Sequence, residues 1–420
     1  MFEKSTLPNG LRVLTSPMPH TRSVSLSIYI KTGSRNEADE QAGISHFLEH
    51  MLFKGTEKRP RPEDVSGVIE NRGGIINAAT DRELTVYWCK VAKPHFNLSL
   101  DLLLDMVHHS AFVPEEIEKE RKVILEELNQ VQDSPSEVAS LAIDEVLWPN
   151  QPLGRDVGGS KDSVSAITRP QLLDYLSHQY GASSAVISVA GDVEHAEVLN
   201  MLELAQPTWM TTQAAPIIPA VDGQKAPRFK IINRKSEQAH VCLALPGFYN
   251  LHPDRYVLSM INVILGEGMT SRLFLDIREH RGLAYDVHSY LSQFQDTGSL
   301  NIYAGVDPKK ASETIQALIE QLVLMREGLS EEELSKAKEL AKGRLLLRME
   351  DTRAVGSWMG GQELLTNTVK TVDEVVELMD KVTVEDTKRV ASTVMRPELL
   401  NLAVVGPFKS EKPFAKLLNA

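Results

Sequence analysis

Hydrophobic and polar positions alternate along some stretches of this chain and recur every three or four residues along others. Alternation predicts strands over 24–30 (VSLSIYI), 85–91 (TVYWCKV), 185–193 (AVISVAGDV), 240–245 (HVCLAL), 299–304 (SLNIYA) and 401–408 (NLAVVGPF). Helical spacing begins near Gly43 and covers 96–108, 171–180, 254–265, 311–326 and 384–395. Acidic runs open two further long helices, VPEEIEKERKVILEELNQ from Val113 and LSEEELSKAKELAKGRLL from Leu329. The order strand, helix, strand, helix, long helix, helix, strand therefore occurs twice, which reads as one unit written twice. Between the copies, TTQAAPIIPAVDGQKAP has Pro and Ala without periodicity, as a linker does. The expected architecture is α/β (α+β): two homologous domains, each a mixed, largely antiparallel β-sheet covered by α-helices. The first spans 1–214, the linker 215–224 and the second 225–420.

Composition narrows the class. The 420 residues are 42% hydrophobic and 24% charged, ordinary for a chain that buries sizeable cores. A net charge of -12 argues against nucleic acid as the main partner, since neutralising phosphates takes basic surface. The acidic surface fits either attraction of basic peptides or solubility alone. Cys89 and Cys242, the two cysteines, sit in apolar strand-like stretches and read as buried thiols, with no disulfide framework. The start, MFEKSTLPNGLRVL, carries no apolar signal core and no Arg-rich amphipathic leader, and no apolar run is long enough to cross a bilayer. The expected compartment is the cytoplasm, with no membrane partner.

The densest chemistry lies in 43–55, GISHFLEHMLFKG. Ile44, Phe47, Leu48, Met51 and Leu52 form the apolar stripe of a helix that Gly55 ends. At ~100° per residue, His46, Glu49 and His50 fall within an arc of roughly 100° opposite that stripe. This is H-x-x-E-H, the reversed form of the zinc motif H-E-x-x-H. Imidazoles at i and i+4 reach one ion and leave a position open for water, while the intervening carboxylate lies beside the ion as a general base. A merely solvated polar face is the competing account.

A catalytic zinc takes a third protein ligand. On the helix after Pro114 the apolar stripe runs through Ile117, Ile124, Leu128 and Val131, with Glu120 and Glu127 flanking it two turns apart and Glu126 nearly opposite. A carboxylate beside a buried face needs a partner to offset desolvation. Glu127 is thus the better ligand candidate, and Glu120 a candidate for orienting a histidine. An acidic helix with incidental edge carboxylates remains the alternative on the wheel alone. His20, His95, His108, His109, His280 and His288 lack ligand spacing and read as structural.

These residues resemble the pitrilysin and insulin-degrading enzyme family of zinc metallopeptidases, and most closely its short members typified by the β-subunit of mitochondrial processing peptidase and its bacterial relatives. HFLEHMLFKGT (46–56) and ERKVILEEL (120–128) are similar to that family's two metal-binding blocks, with 76 residues between His50 and Glu127. The resemblance implies one zinc per chain held by His46, His50 and Glu127, Glu49 as catalytic base and Glu120 as the second acid of that helix. GGIINAATDRELTVYW (73–88) resembles the segment whose strand edge pairs with an extended substrate, with Asn77 and Ala78 at its contact positions, and PLGRDVGGS (152–160) is also familial. Arg278 and Tyr285, in the second domain, match a family pair that binds substrate and stabilises the tetrahedral intermediate. Where the first half has its histidine helix the second has YVLSMINVIL, which carries no ligands. The family's short members close their chamber by pairing, so a homodimer is expected here, with a heterodimer containing an inactive sister chain as the alternative. The function implied is a processing-peptidase-like zinc endopeptidase. The rival is a non-catalytic peptide-binding or scaffold subunit of a larger complex, against which the intact motif counts.

Overall fold

In Ser23–Ile30, Val24, Leu26, Ile28 and Ile30 point one way into an apolar core, while Ser25, Ser27 and Tyr29 point the other way and are buried as well. A strand covered on both faces belongs to the interior of a layered structure, and the rest of the chain is arranged around two such sheets. The computed structural model describes residues 2–205, 209, 212, 217–221 and 223–418. Of the expected linker, positions 215, 216 and 222 lie outside the described residues.

The first sheet has six strands: β1 (Glu3–Thr6), β2 (Arg12–Pro17), β3 (Ser23–Ile30), β4 (Ile75–Thr80), β5 (Thr85–Ala92) and β6 (Ala185–Gly191). Their spatial order is β1-β2-β6-β3-β5-β4, with β2 and β6 parallel and the other pairs antiparallel. The second contains β7 (Arg228–Asn233), β8 (Ala239–Pro246), β9 (Ala284–Gln293), β10 (Gly298–Val306) and β11 (Asn401–Gly406). Its order is β7-β11-β8-β10-β9, again with a single parallel pair, β7 with β11. Without β1, the two orders are the same, strand for strand. The duplication read from the sequence is therefore present in the topology, and both sheets are mixed and largely antiparallel.

The chain forms two compact units that do not follow the contiguous halves expected from the sequence. One comprises 1–128, 156–218 and 347–371; the other comprises 129–155, 219–346 and 372–420. The helix Thr352–Thr366 thus belongs to the first unit, where it packs on β3 and β6. Pro135–Leu147 belongs to the second, where it packs on β8 and β11. Small residues allow the first of these contacts: a Cβ on Gly360 would lie 2.3 Å from the Tyr29 ring, and the Ser188 hydroxyl donates to the Gly356 carbonyl at 2.8 Å. Glu363 on the same helix, 1% exposed, takes Lys4 at 2.7 Å and Arg12 at 3.3 Å from β1 and β2. Charge pairing offsets the cost of burying that carboxylate.

Both cysteines are free and buried. Among the described residues no helix is long and apolar enough to cross a membrane.

Candidate metal centre

The helix Ile44–Met51 buries Ile44, Phe47, Leu48 and Met51 in the core of the first unit, and its opposite face carries His46, Glu49 and His50, all half-buried. It has no side-chain cap at its own first position, which is Gly43. Its amides are satisfied from outside instead. Glu37, 1% exposed, accepts from the Gly43 N–H at 2.8 Å and from the Ser45 N–H at 2.9 Å. A carboxylate here pairs two buried donors and complements the positive end of the helix. Glycines then close the other side. Gly43 has φ +93° and Gly159 φ +81°, and a Cβ on Gly159 would lie 2.2 Å from the Ala42 carbonyl oxygen. Only residues without a Cβ let the two backbones meet like this. Gly158, beside it, abuts Leu128, so one turn braces both the histidine helix and the helix that carries Glu127.

That second helix, Pro114–Asp133, buries Ile117, Glu120, Ile124 and Leu128 and exposes Glu126. Glu127 turns toward the histidines. His46 Nε2 lies 3.2 Å from His50 Nε2, Glu127 Oε2 lies 3.5 Å from His50 Nε2, and Glu127 Oε2 lies 3.9 Å from His46 Nε2. Ligands about 2.0–2.1 Å from a tetrahedral ion stand roughly 3.3 Å apart, so this triangle fits a zinc-sized ion. Among the described residues it is the single cluster of His, Cys, Asp or Glu close enough to share one ion. Two imidazoles and a carboxylate also form the N/N/O donor set that suits zinc.

The protonation states agree with that use. Burial, reinforced by the neighbouring His50 ring, pulls His46 down to about 4, so its imidazole is neutral near pH 7. His50 Nδ1 is 3.0 Å from Glu120 Oε2, which places a proton on Nδ1 and leaves the Nε2 lone pair facing Glu127. Lys54 holds the other oxygen of Glu120 at 2.9 Å. Burial opposes the charge on Glu120, but hydrogen bonds from His50 and Lys54 outweigh it and keep the carboxyl below its ordinary value.

Glu49 differs. Burial pushes its carboxyl up, the Glu127 charge adds to that, and the Thr80 hydroxyl and His50 pull the other way. A carboxylate raised by desolvation is a better proton acceptor than one in water. Glu49 and His50 line a hollow of about 260 Å³ with Phe53, Lys54 and Asn77. Asn77 and Ala78 lie on β4, the last strand in the order of its sheet, with Asn77 exposed and Ala78 half-buried.

Arg278 and Tyr285 form a separate pair in the second unit. Arg278 lies in the short π-helix Phe274–His280, and its guanidinium stands 5.1 Å from the centre of the Tyr285 ring and 4.7 Å from that of Phe274. Tyr285, on β9, is 77% exposed and accessible to a ligand. The pattern of residues alone missed Glu37, Thr80 and the glycines at 158 and 159. Only the GGS of 158–160 carried a local signal, since paired glycines mark tight turns.

Comparison with known proteins gives the family and the fold. The model for insulinase (peptidase family M16) matches residues 12–161, and that for the peptidase M16 inactive domain matches 166–340. An uncharacterised zinc protease of Bacillus subtilis is 35% identical over 97% of this chain and 98% of its own length. One from Streptomyces coelicolor is 34% identical over 97% of this chain and 90% of its own. The crystal structure of a Helicobacter pylori protease superposes with a TM-score of 0.90, covering 97% of this chain and 99% of that one at 23% identity, and so shares the fold. With both domain types matched in order and the likeness running almost end to end, the chain belongs to the insulinase family, peptidase family M16.

Proposed function

We propose that the chain is a zinc-dependent endopeptidase that cuts extended peptides, with one zinc per chain held by His46, His50 and Glu127. The observation that carries this reading is the triangle of ligand atoms at 3.2, 3.5 and 3.9 Å on two helices braced by one glycine turn. When bound, zinc supplies a Lewis acid that polarises a peptide carbonyl and makes water acidic enough to ionise near neutral pH. Glu49 accepts the proton of the attacking water and delivers it to the leaving amine. Glu120 orients His50 through Nδ1. Asn77 and Ala78 present the free edge of β4 to the substrate, which adds as a further strand through main-chain hydrogen bonds. Arg278 and Tyr285 donate to the substrate and to the oxyanion of the tetrahedral intermediate. The working assembly is a homodimer, or a pairing with an inactive sister chain. An intact ligand set and an oriented base weigh against the scaffold reading.

Metal content and hydrolysis of a mixed peptide library, measured for the wild type and for Glu49→Gln, test the proposal. Near one zinc per chain in both, with cleavage by the wild type alone, is the expected result. Stoichiometric zinc with full turnover in Glu49→Gln would remove Glu49 from its role, and absence of bound metal would favour the scaffold.

A further inference from the structure

Thr80 is the final residue of β4 and, among the described residues, the one whose side chain hydrogen-bonds the base. Its hydroxyl donates to Glu49 Oε2. The same strand offers the docking edge. The Ala78 N–H is taken by the Asn77 side chain at 2.8 Å, which marks it as pointing off the open side of β4. In an antiparallel pair, backbone groups of alternate residues share an edge, so Ile76, Ala78 and Thr80 all face outward there. Thr80 is thus one step of about 6.8 Å along from Ala78 on the edge where a peptide would add.

We infer that Thr80 is a positioning residue: it ties the Glu49 carboxylate to the substrate-docking edge, so that the strand which sets the register of the peptide also sets the place of the proton acceptor. This rests on the peptidase reading above. Geometry of this kind matters because general-base catalysis contributes roughly 10²–10⁴-fold and needs the acceptor within hydrogen-bond reach of its proton.

Thr80→Val keeps the shape and the strand preference of the residue and removes only the hydroxyl, while Thr80→Ser keeps the hydroxyl. The valine variant should retain wild-type zinc content and a KM within about twofold, with kcat lowered on the order of 10–100-fold; the serine variant should stay within about threefold of wild type. Crystal structures of both variants without metal supply a readout independent of turnover. Glu49 Oε2 should remain against residue 80 in the serine variant and turn away in the valine variant. A valine variant with wild-type kcat, or with Glu49 unmoved in the crystal, would overturn the inference. If kcat fell equally in both variants, or KM rose with kcat unchanged, the hydroxyl would not be acting through the base. A wild type that cuts no peptide would instead sink the peptidase reading, and the crystal comparison would still decide whether Thr80 sets the place of Glu49.

Discussion

Replacing Glu37 with Gln isolates what one buried carboxylate does for the histidine helix. In the wild type its two oxygens accept from Gly43 at 2.8 Å and from Ser45 at 2.9 Å, with the side chain 1% exposed. Glutamine has almost the same shape but a single acceptor, so one of the two N–H groups comes to face an amide N–H. Losing one hydrogen bond to a charged group costs about 1.5–3 kcal/mol, and the surviving bond drops from a charged to a neutral one, roughly 1 kcal/mol more. The loss should therefore be about 3 kcal/mol, concentrated at the first turn of Ile44–Met51. A loss of that size raises the equilibrium for local opening on the order of 100-fold. Hydrogen exchange followed by mass spectrometry on peptides covering 37–52 reads it directly, with peptides from the second unit as an internal control. Excess zinc should slow the exchange again, since an ion that binds only the closed helix favours closure. Exchange within about threefold of wild type would show that the carboxylate contributes little, and that the Gly43–Gly159 contact and the hydrogen bond between the Ser45 and Tyr175 hydroxyls, 2.9 Å long, suffice to hold the turn.

Three further outcomes follow from the same geometry. Glu127→Gln should abolish stoichiometric zinc, because it removes an anionic ligand whose oxygen lies 3.5 Å from His50 Nε2, whereas Glu126→Gln, at an exposed position, should bind as wild type; metal analysis after dialysis checks both. Gly159→Ala puts a Cβ 2.2 Å from a carbonyl oxygen at φ +81°, and should lower the urea midpoint of the first unit, with at least ~1–2 kcal/mol lost to backbone strain alone. Burial pushes the thiols of Cys89 and Cys242 up to about 12, so at pH 8 they hold almost no thiolate; a thiol reagent should label neither until denaturant is added, and fast labelling of native protein would contradict their placement.

Much of the fold was legible from local pattern. All six strands predicted by alternation are present, with ends shifted by one or two residues, and their order repeats as read. The strands that pattern missed are β1, β2, β4, β7 and β9. Of these, β1, β4, β7 and β9 stand at sheet edges, where one side meets solvent and polar residues blur the alternation. The helical wheel also sorted the acids of Pro114–Asp133 correctly by direction: Glu120 is buried, Glu127 faces the histidines and Glu126 faces water. Such direction is legible because helical geometry is local, repeating every 3.6 residues whatever lies beyond.

By itself, then, the sequence determined the six central alternating strands, the principal helices between them, their duplicated order, and the face of the histidine helix that carries His46, Glu49 and His50. Tertiary structure alone decided what covers the second face of each sheet. Ser25, Ser27 and Ser188 are polar, yet all three are fully buried on the faces of β3 and β6 that Thr352–Thr366, a helix from the far end of the chain, packs on. It decided as well that Glu37, six residues before Gly43, caps the histidine helix, and that a turn more than a hundred residues away braces its first residue. Periodicity records the environment of a residue averaged over its own element. Which distant segment supplies that environment depends on the closure of long loops and on packing against surfaces that no local window contains.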